Sequence, residues 1–221
     1  MPWSEIVATS FATLFVVIDP IGLVPLFLAL TPQSDKAERR RIAWRAMLAS
    51  LVVLVIFALF GDAVLSFLGI SLPAFRIAGG ILLFVLALEM LFEKRTARRE
   101  RNVAEAQAEH AADTQGPSGA SEDDEDIAVF PLAVPLIAGP GAITSILLLM
   151  SHHQGDYAAQ ALVVAVMVAV LALTLAFFLA AGWFGHHLGP TLIRALTRVL
   201  GVILAALAMQ FILTGLQNAG F

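Results

Sequence analysis

The stretch FVVIDPIGLVPLF, residues 15–27, places an aspartate, a proline and a glycine inside a long apolar run. Proline removes a helical hydrogen bond and glycine tolerates unwound backbone, so Pro20 and Gly22 predict that a membrane helix opens here. Lipid cannot satisfy the backbone groups that such a break frees. The stretch AGPG, residues 138–141, repeats the pattern, with its proline 120 residues after Pro20. Two broken helices at matching positions of a duplicated chain are typical of a transporter that binds substrate near the bilayer midplane.

The composition predicts an integral membrane protein. Of 221 residues, 59% are hydrophobic and 14% are charged, and the mean hydropathy is +0.88. The net charge of −4 comes mostly from residues 93–126, so it does not indicate a nucleic-acid partner, and none is expected. The absence of cysteine excludes disulfides and thiolate metal sites. No Lys or Arg precedes the first apolar run, so we expect no cleaved signal peptide.

Six apolar runs are long enough, or nearly so, to cross a bilayer, which takes roughly 20 residues per helix. We therefore expect an all-α membrane protein with six transmembrane helices. The predicted spans are Ile6–Leu30, Ala43–Leu68, Leu72–Phe92, Val129–Met150, Ala158–Phe184 and Leu192–Leu216.

A polar segment divides the chain into two halves. Residues 94–127 are rich in Ala, Glu, Asp, Gln and Gly and end in a run of acidic residues at 122–126. This composition cannot pack a core, so we interpret the segment as an acidic, disordered linker. Residues 1–93 and 128–221 then form two units of three helices each.

The two units resemble each other in sequence. The motif RIAG at residues 76–79 recurs as RVLG at 198–201, and Phe57–Gly61 matches Phe178–Gly182. All these offsets lie near the 120 residues that separate the two prolines. Because each unit has an odd number of helices, the second must enter the membrane from the opposite side. The pattern predicts an inverted-topology repeat in which the first and fourth helices are discontinuous.

Basic residues predict the orientation. They cluster at residues 36–45, at 94–101 and at 194–198, which all lie on one side, whereas the other side carries only Arg76. The positive-inside rule then places both termini outside and the linker in the cytoplasm.

Asp19 is the only acidic residue predicted near the middle of a span. Burying its carboxylate costs at least about 2.5 kcal/mol, so it needs a partner, a proton or water. One interpretation is a helix cap that accepts from the amide of Gly22 or Leu23. The functional interpretation is that Asp19 binds a substrate ammonium or takes up a coupling proton, and the two roles are compatible.

The helix that begins after each break is a candidate site for a substrate carboxylate. The first amides of a helix lack internal partners and lie at the positive end of its dipole, which suits an amino acid's carboxylate. Close helix packing is the alternative explanation for the glycines, and backbone hydrogen bonding is the alternative for the hydroxyls. The candidate substrate-binding residues are Asp19, Pro20, Gly22, Gly139, Pro140, Gly141, Thr144 and Ser145, with Ser10 and Thr13 on a shared face of the first helix.

Three further charged residues are candidates for a gate. Arg76 and Arg198 hold matching repeat positions, and snorkelling to an interface is the ordinary explanation for both. Glu89 lies at roughly the depth of Arg198, so the two residues are candidates for an inner gate. Asp62 is expected at the membrane interface.

The remaining polar residues exclude other classes. His152 and His153 are expected outside and His186 and His187 inside, so they cannot share one metal or haem, and no metal or cofactor is expected. A lone central carboxylate does not make an aspartyl protease. The chain has no phosphate-binding Gly-Lys-Ser/Thr loop. We therefore do not expect an enzyme.

With these residues in view, the chain resembles the MarC family of six-helix bacterial and archaeal membrane proteins, also described as small neutral amino-acid transporters. The resemblance rests on residues 15–27, on RIAGGILL at 76–83 and on FPLAVPLIAGPGAI at 130–143. It implies inverted three-helix repeats, discontinuous helices 1 and 4, and transport of amino acids such as glycine or alanine. It does not imply drug efflux. The linker is longer than the family pattern requires.

We therefore expect a secondary transporter in a bacterial or archaeal cytoplasmic membrane that moves small zwitterionic amino acids by alternating access. A coupling proton or sodium ion, the direction of transport and homo-oligomer formation stay open. The alternatives are a passive channel or ion-specific pore, and a membrane scaffold or accessory subunit that acts through its linker.

Overall fold

A computed structural model describes residues 3–31, 34–94, 136–181 and 190–220, together with residues 98, 99, 101, 104 and 132. These ranges contain long helices and no strand, which confirms the all-α prediction. The helices are α1 (Trp3–Ile18), α2 (Pro20–Leu30), α3 (Lys36–Phe67), α4 (Leu72–Leu91), α5 (Pro140–His152), α6 (Tyr157–Leu179) and α7 (Pro190–Ala219).

Five helical segments of the described chain are long and apolar enough to cross a membrane. They are Trp3–Leu30, which α1 and α2 form together, Lys36–Gly61, Leu72–Leu91, Tyr157–Leu179 and Thr191–Ala219. The shorter apolar helix α5 is the second half of the predicted fourth span. The first half of that span lies mostly outside the described residues. The count of six spans and the inverted repeat therefore stay predictions.

The first helix is broken where the sequence predicts it. α1 ends at Ile18, Asp19 adopts a left-handed conformation with φ 58° and ψ 64°, and α2 begins at Pro20. A non-glycine residue rarely has a positive φ, and Asp is among the residues that tolerate it. A second proline inside α2, Pro25, does not end that helix.

The second span begins earlier than the apolar pattern predicts. α3 starts at Lys36 rather than Ala43, because Asp35 and Glu38 form a capping box. The basic residues that precede Ala43 therefore lie in the first turns of a helix. One of them, Arg39, donates from Nε and Nη2 to the carbonyl of Thr31 at 3.1 and 2.7 Å and so satisfies the end of α2.

The helices α4 and α7 pack closely along small residues. A Cβ added at Gly80 would lie 2.9 Å from the carbonyl oxygen of Ala208, and one at Gly201 would lie 3.2 Å from that of Ala87. A Cβ at the neighbouring Gly79 would instead meet Thr144 of α5 at 2.9 Å. Small residues let membrane helices approach at the backbone, so α4 is held between α5 and α7.

The outer faces of the long helices are apolar. On α3 an exposed stripe repeats every four residues through Trp44, Leu48, Val52 and Ile56. Such a stripe on a membrane helix faces lipid. Inside, α1 packs on α6 and α5, and the rings of Phe27 and Phe178 stack with centroids 4.4 Å apart. The break in the first helix is therefore enclosed by other helices.

Most of the predicted linker lies outside the described residues. Residues 94, 98, 99, 101 and 104 are described and are helical. The acidic run at 122–126, the start of the second unit at 128–131 and the pair His186–His187 lie outside.

The α4–α7 contact generates the first prediction. In Gly80→Val the new side chain would collide with the backbone of α7, and overpacking of this kind costs about 1–3 kcal/mol. We expect a lower midpoint of thermal unfolding in detergent. Ile81→Val, at a neighbouring lipid-facing position, is the control and should change the unfolding free energy by less than about 0.5 kcal/mol. Equal midpoints for both variants would contradict this contact.

Candidate functional site

The carboxylate of Asp19 lies at the break between α1 and α2. Its Oδ1 accepts from the backbone amide of Gly22 at 3.1 Å, so Asp19 caps the second half-helix. The side chain is 3% exposed. The capping interpretation is therefore correct, and it accounts for one of the two carboxylate oxygens.

Gly22 has a local reason to be glycine. A Cβ at this position would overlap Oδ2 of Asp19 and lie 2.8 Å from its Cγ. Any side chain here would displace the carboxylate that caps α2. Gly22 thus makes room for Asp19 rather than directly for an approaching ligand.

The second oxygen of Asp19 is held by an arginine from the connection between the two units. Arg99 donates from Nη1 to Oδ2 of Asp19 at 3.0 Å and from Nη2 to the carbonyl of Ile18 at 3.2 Å. The side chain of Arg99 is 9% exposed. A buried carboxylate is tolerated when it is paired and hydrogen-bonded, and Asp19 meets both conditions.

The sequence did not single out Arg99. We counted it among the basic residues of a solvated linker, whereas the structure buries it against the first helix. The signal that the sequence offered for such a residue was that the buried carboxylate of Asp19 needs a partner. Nothing local distinguishes Arg99 from the exposed Arg98 beside it, whose side chain is 67% exposed.

The second break is visible on its C-terminal side. Gly139 is extended, with φ −75° and ψ 176°, and α5 begins at Pro140 without a side-chain cap. The first amides of α5 therefore lack a capping oxygen from Gly139, in contrast to those of α2. A Cβ at Gly141 would lie 2.8 Å from Cδ2 of Leu86 and 3.2 Å from Cγ1 of Val17. Gly141 thus keeps α5 close to both α1 and α4.

A cavity of about 330 Å³ lies against this second break. Much of its wall is apolar, and three charged residues, Glu89, Arg98 and Arg99, also line it. Because Arg99 also bonds Asp19, its guanidinium lies between the cavity and the first break. The lining residues are Val17, Leu82, Val85, Leu86, Glu89, Arg98, Arg99, Leu136, Ile137, Gly139, Pro140, Gly141 and Ala142.

The predicted hydroxyl ligands have different surroundings. Ser145 donates to the carbonyl of Gly141 at 2.8 Å, within its own helix, and the methyl of Thr144 packs towards Gly79. Ser10 and Thr13 are fully buried, and among the described atoms neither hydroxyl has a hydrogen-bond partner. None of the four lines the cavity.

The gate candidates do not form the pair that we expected. Arg198 donates to Glu93 at 2.6 Å, and Glu89 pairs with Arg98 at 3.3 Å. Arg76 is buried near the opposite end of α4 and donates to the carbonyl of Ser151 at 2.8 Å. In this conformation, Arg198 therefore contacts the residue one turn beyond Glu89. That α4 and α7 touch is shown, and a Glu89–Arg198 gate stays a prediction.

No group of three His, Asp or Glu side chains within the described ranges is placed to hold a metal ion. His152 and His153 lie at the end of α5 with ring centroids 5.0 Å apart. Burial is the main cause that lowers the pKa of His153, and nearby Arg76 lowers it further, although Asp156 opposes the shift. His153 is therefore neutral at pH 7, and Arg76 carries the positive charge at this end.

Comparison with known proteins gives one consistent match. Residues 3–219 match the family model described as MarC family integral membrane protein. A UPF0056 membrane protein of Methanocaldococcus jannaschii is 39% identical over 95% of both chains. The UPF0056 membrane protein YvbG of Bacillus subtilis is 37% identical over 94% of this chain and 92% of its own. YhcE of Escherichia coli is 34% identical over 94% and 90%. No solved structure matches.

The Asp19–Arg99 contact generates the second prediction. Asp19→Asn keeps an acceptor for the amide of Gly22 but leaves the buried guanidinium without its anion, and breaking such a pair costs about 3–5 kcal/mol. We expect a lower unfolding midpoint in detergent, and Arg99→Gln in the same chain should recover part of the loss. The double-mutant coupling should lie at about 0.5–3 kcal/mol.

The exposed ion pair between Glu93 and Arg198 is the matched control. Its side chains are 42% and 57% exposed, so its removal should change stability by about 0–1 kcal/mol. Strictly additive effects of Asp19→Asn and Arg99→Gln would contradict the buried pair.

Proposed function

The chain belongs to the MarC family of integral membrane proteins, and we propose that it is a secondary transporter of small neutral amino acids such as glycine and alanine. It works by alternating access in the cytoplasmic membrane of a bacterium or archaeon. Relatives occur in both groups, and the described helices cross a membrane several times.

The observation that carries the proposal is that the two breaks, on either side of Arg99, offer opposite groups. The first offers hydrogen-bond acceptors and the second offers amide donors. At the first, Asp19 supplies a carboxylate and Ile18 a backbone carbonyl; both accept from Arg99 in this structure, and both suit an ammonium group. At the second, the uncapped amides at the start of α5 suit a carboxylate. A zwitterion carries one group of each kind. Its carboxylate lies towards residues 139–141 and its ammonium towards Asp19.

The cavity supports a small substrate. A volume of about 330 Å³ is at the lower end of the range for ligand pockets, ~300–1,000 Å³. Gly139 and Gly141 contribute no side chain to its wall. A long or branched substrate side chain would meet Leu86 and Val17, which already pack against the Gly141 backbone.

Alternating access needs two conformations of similar energy, which an inverted repeat supplies. The antiparallel packing of α4 on α7 fits this arrangement, because these helices are the third of each unit. Asp19 is also the proposed acceptor for a coupling proton. Both termini face outward and the connection between the units faces the cytoplasm, as the basic residues indicate.

The test is uptake of labelled glycine and alanine into proteoliposomes of the purified protein, with and without a pH gradient. Saturable uptake in which the two amino acids compete supports a transporter. Uptake that does not saturate indicates a channel instead. If neither amino acid moves, and deletion of residues 102–126 abolishes the protein's effect in cells, the scaffold alternative replaces this proposal.

The role of Asp19 generates the third prediction. Asp19→Asn should abolish coupled flux, because amide nitrogen and oxygen neither attract an ammonium as strongly nor take up a proton. The measurement is uptake per folded molecule, which corrects for the stability loss. Flux equal to that of the unsubstituted chain would show that the carboxylate is a cap alone.

Gly141 generates the fourth prediction. Gly141→Val should raise the Kd for glycine more than tenfold, because its branched side chain would fill the approach between Val17 and Leu86. Ser145→Ala is the control in the same half-helix. Its hydroxyl bonds its own backbone, so the Kd should stay within twofold. A retained glycine affinity in Gly141→Val would move the site away from the second break.

A further inference from the structure

Arg99 carries a buried charge, and the transport cycle proposed above does not use it. It follows α4 by eight residues and yet reaches the break in the middle of the first span. Glu93, just beyond α4, has a positive φ of 60°, where the chain departs from the helix. The side chain thus comes from the connection between the units and ends inside the first of them.

The guanidinium uses the acceptors that an incoming ammonium requires. Nη1 holds the free oxygen of Asp19 and Nη2 holds the carbonyl of Ile18. The other oxygen of Asp19 caps α2. With Arg99 in place, both oxygens of the Asp19 carboxylate accept a hydrogen bond and its charge is balanced by the guanidinium, which disfavours a second cation there.

We propose that Arg99 is a tethered competitor, an internal cation that occupies the ammonium-binding position at Asp19 and must withdraw before substrate binds there. The identity of the incoming cation as a substrate ammonium rests on the proposed function. The competition itself rests on the geometry of Arg99, Asp19 and Ile18.

The position of Arg99 gives it a route out. It lines the cavity, as does its exposed neighbour Arg98, which contacts Glu89. Withdrawal would join the cavity to Asp19 and so connect the two breaks. Arg99, rather than Glu89 with Arg198, would then be the gate between the cavity and the first break.

Exchange of the guanidinium for an ammonium keeps Asp19 paired with a cation, and the carboxylate of a zwitterionic substrate would then lie at the first amides of α5. A bare Asp19 carboxylate in the membrane interior is costly, so Arg99 leaves most easily when an ammonium takes its place. When no substrate is bound, Arg99 returns and Asp19 is paired again. The position at Asp19 is thus occupied by a cation with or without substrate. This occupancy opposes leakage through a transporter that holds no substrate.

The experiment measures binding in detergent for Arg99→Ala, with Arg101→Ala, at an exposed arginine of the same segment that does not line the cavity, as the control. The probes are glycine, methylammonium, methylguanidinium and sodium ion. A competitor reduces apparent affinity in proportion to the fraction of time that the site is free; for a site that is free about a tenth of the time, Arg99→Ala should bind glycine roughly tenfold more tightly. Arg101→Ala should match the unsubstituted protein within twofold.

Methylguanidinium separates this inference from the proposed function. It should raise the unfolding midpoint of Arg99→Ala, in which it can replace the missing side chain, and leave that of Arg101→Ala unchanged. This outcome supports the competitor even if neither glycine nor alanine is transported. If glycine is transported but methylguanidinium and glycine bind Arg99→Ala no better, the competitor fails and the transporter stands.

Two other results would overturn the proposal. Weaker glycine binding by Arg99→Ala would mean that Arg99 holds the substrate carboxylate. Tighter binding of sodium ion without a gain for glycine or methylammonium would assign the position to a coupling ion. If Arg99→Ala does not fold, Arg99→Lys serves instead: its single ammonium cannot span both acceptors, so glycine affinity should rise by a smaller factor, and an unchanged or lower affinity would contradict competition.

Discussion

The structure depends on one constraint: a polar group buried at membrane depth must find a partner within the protein. At residue 19 the helix opens, and the freed groups are satisfied by a small set of contacts. The Asp19 carboxylate takes the amide of Gly22 and the guanidinium of Arg99, and Arg99 in turn takes the carbonyl of Ile18. Gly22 is glycine because the carboxylate fills the space of a side chain. The break is therefore a closed set of hydrogen bonds.

The parts of the fold that local sequence determines could be predicted. Pro20 and Gly22 mark the first break, Gly139 and Pro140 mark the start of α5, and long apolar runs mark the spans. The start of α3 was wrong by seven residues, because the apolar pattern took precedence over the capping box of Asp35 and Glu38. That error was avoidable, since a capping box is itself a local signal.

The contacts between distant residues could not be predicted. Arg99 lies 80 residues from Asp19, in a segment whose charge and composition are typical of solvent exposure. Sequence alone predicts that Asp19 needs a partner, a proton or water, and it does not choose among the basic residues. For the same reason Arg198 was matched with Glu89, whereas Glu93 one turn further along is its partner. A shift of one helical turn lies within the error of depths counted from apolar runs.

The choice of residues at the first break favours a role for charge beyond stability. Capping the amide of Gly22 needs one acceptor, and an asparagine would provide it without burying a charge. Asp19 instead requires Arg99, and the two together bury an ion pair, which contributes little stability compared with well-packed apolar residues. Such a buried pair adds little to the stability of the protein, but breaking it is costly. Its main effect is therefore on which conformational states are populated. In the proposed competition the states differ in which cation holds Asp19, so the pair would tie the occupancy of the break to the position of the chain that carries Arg99.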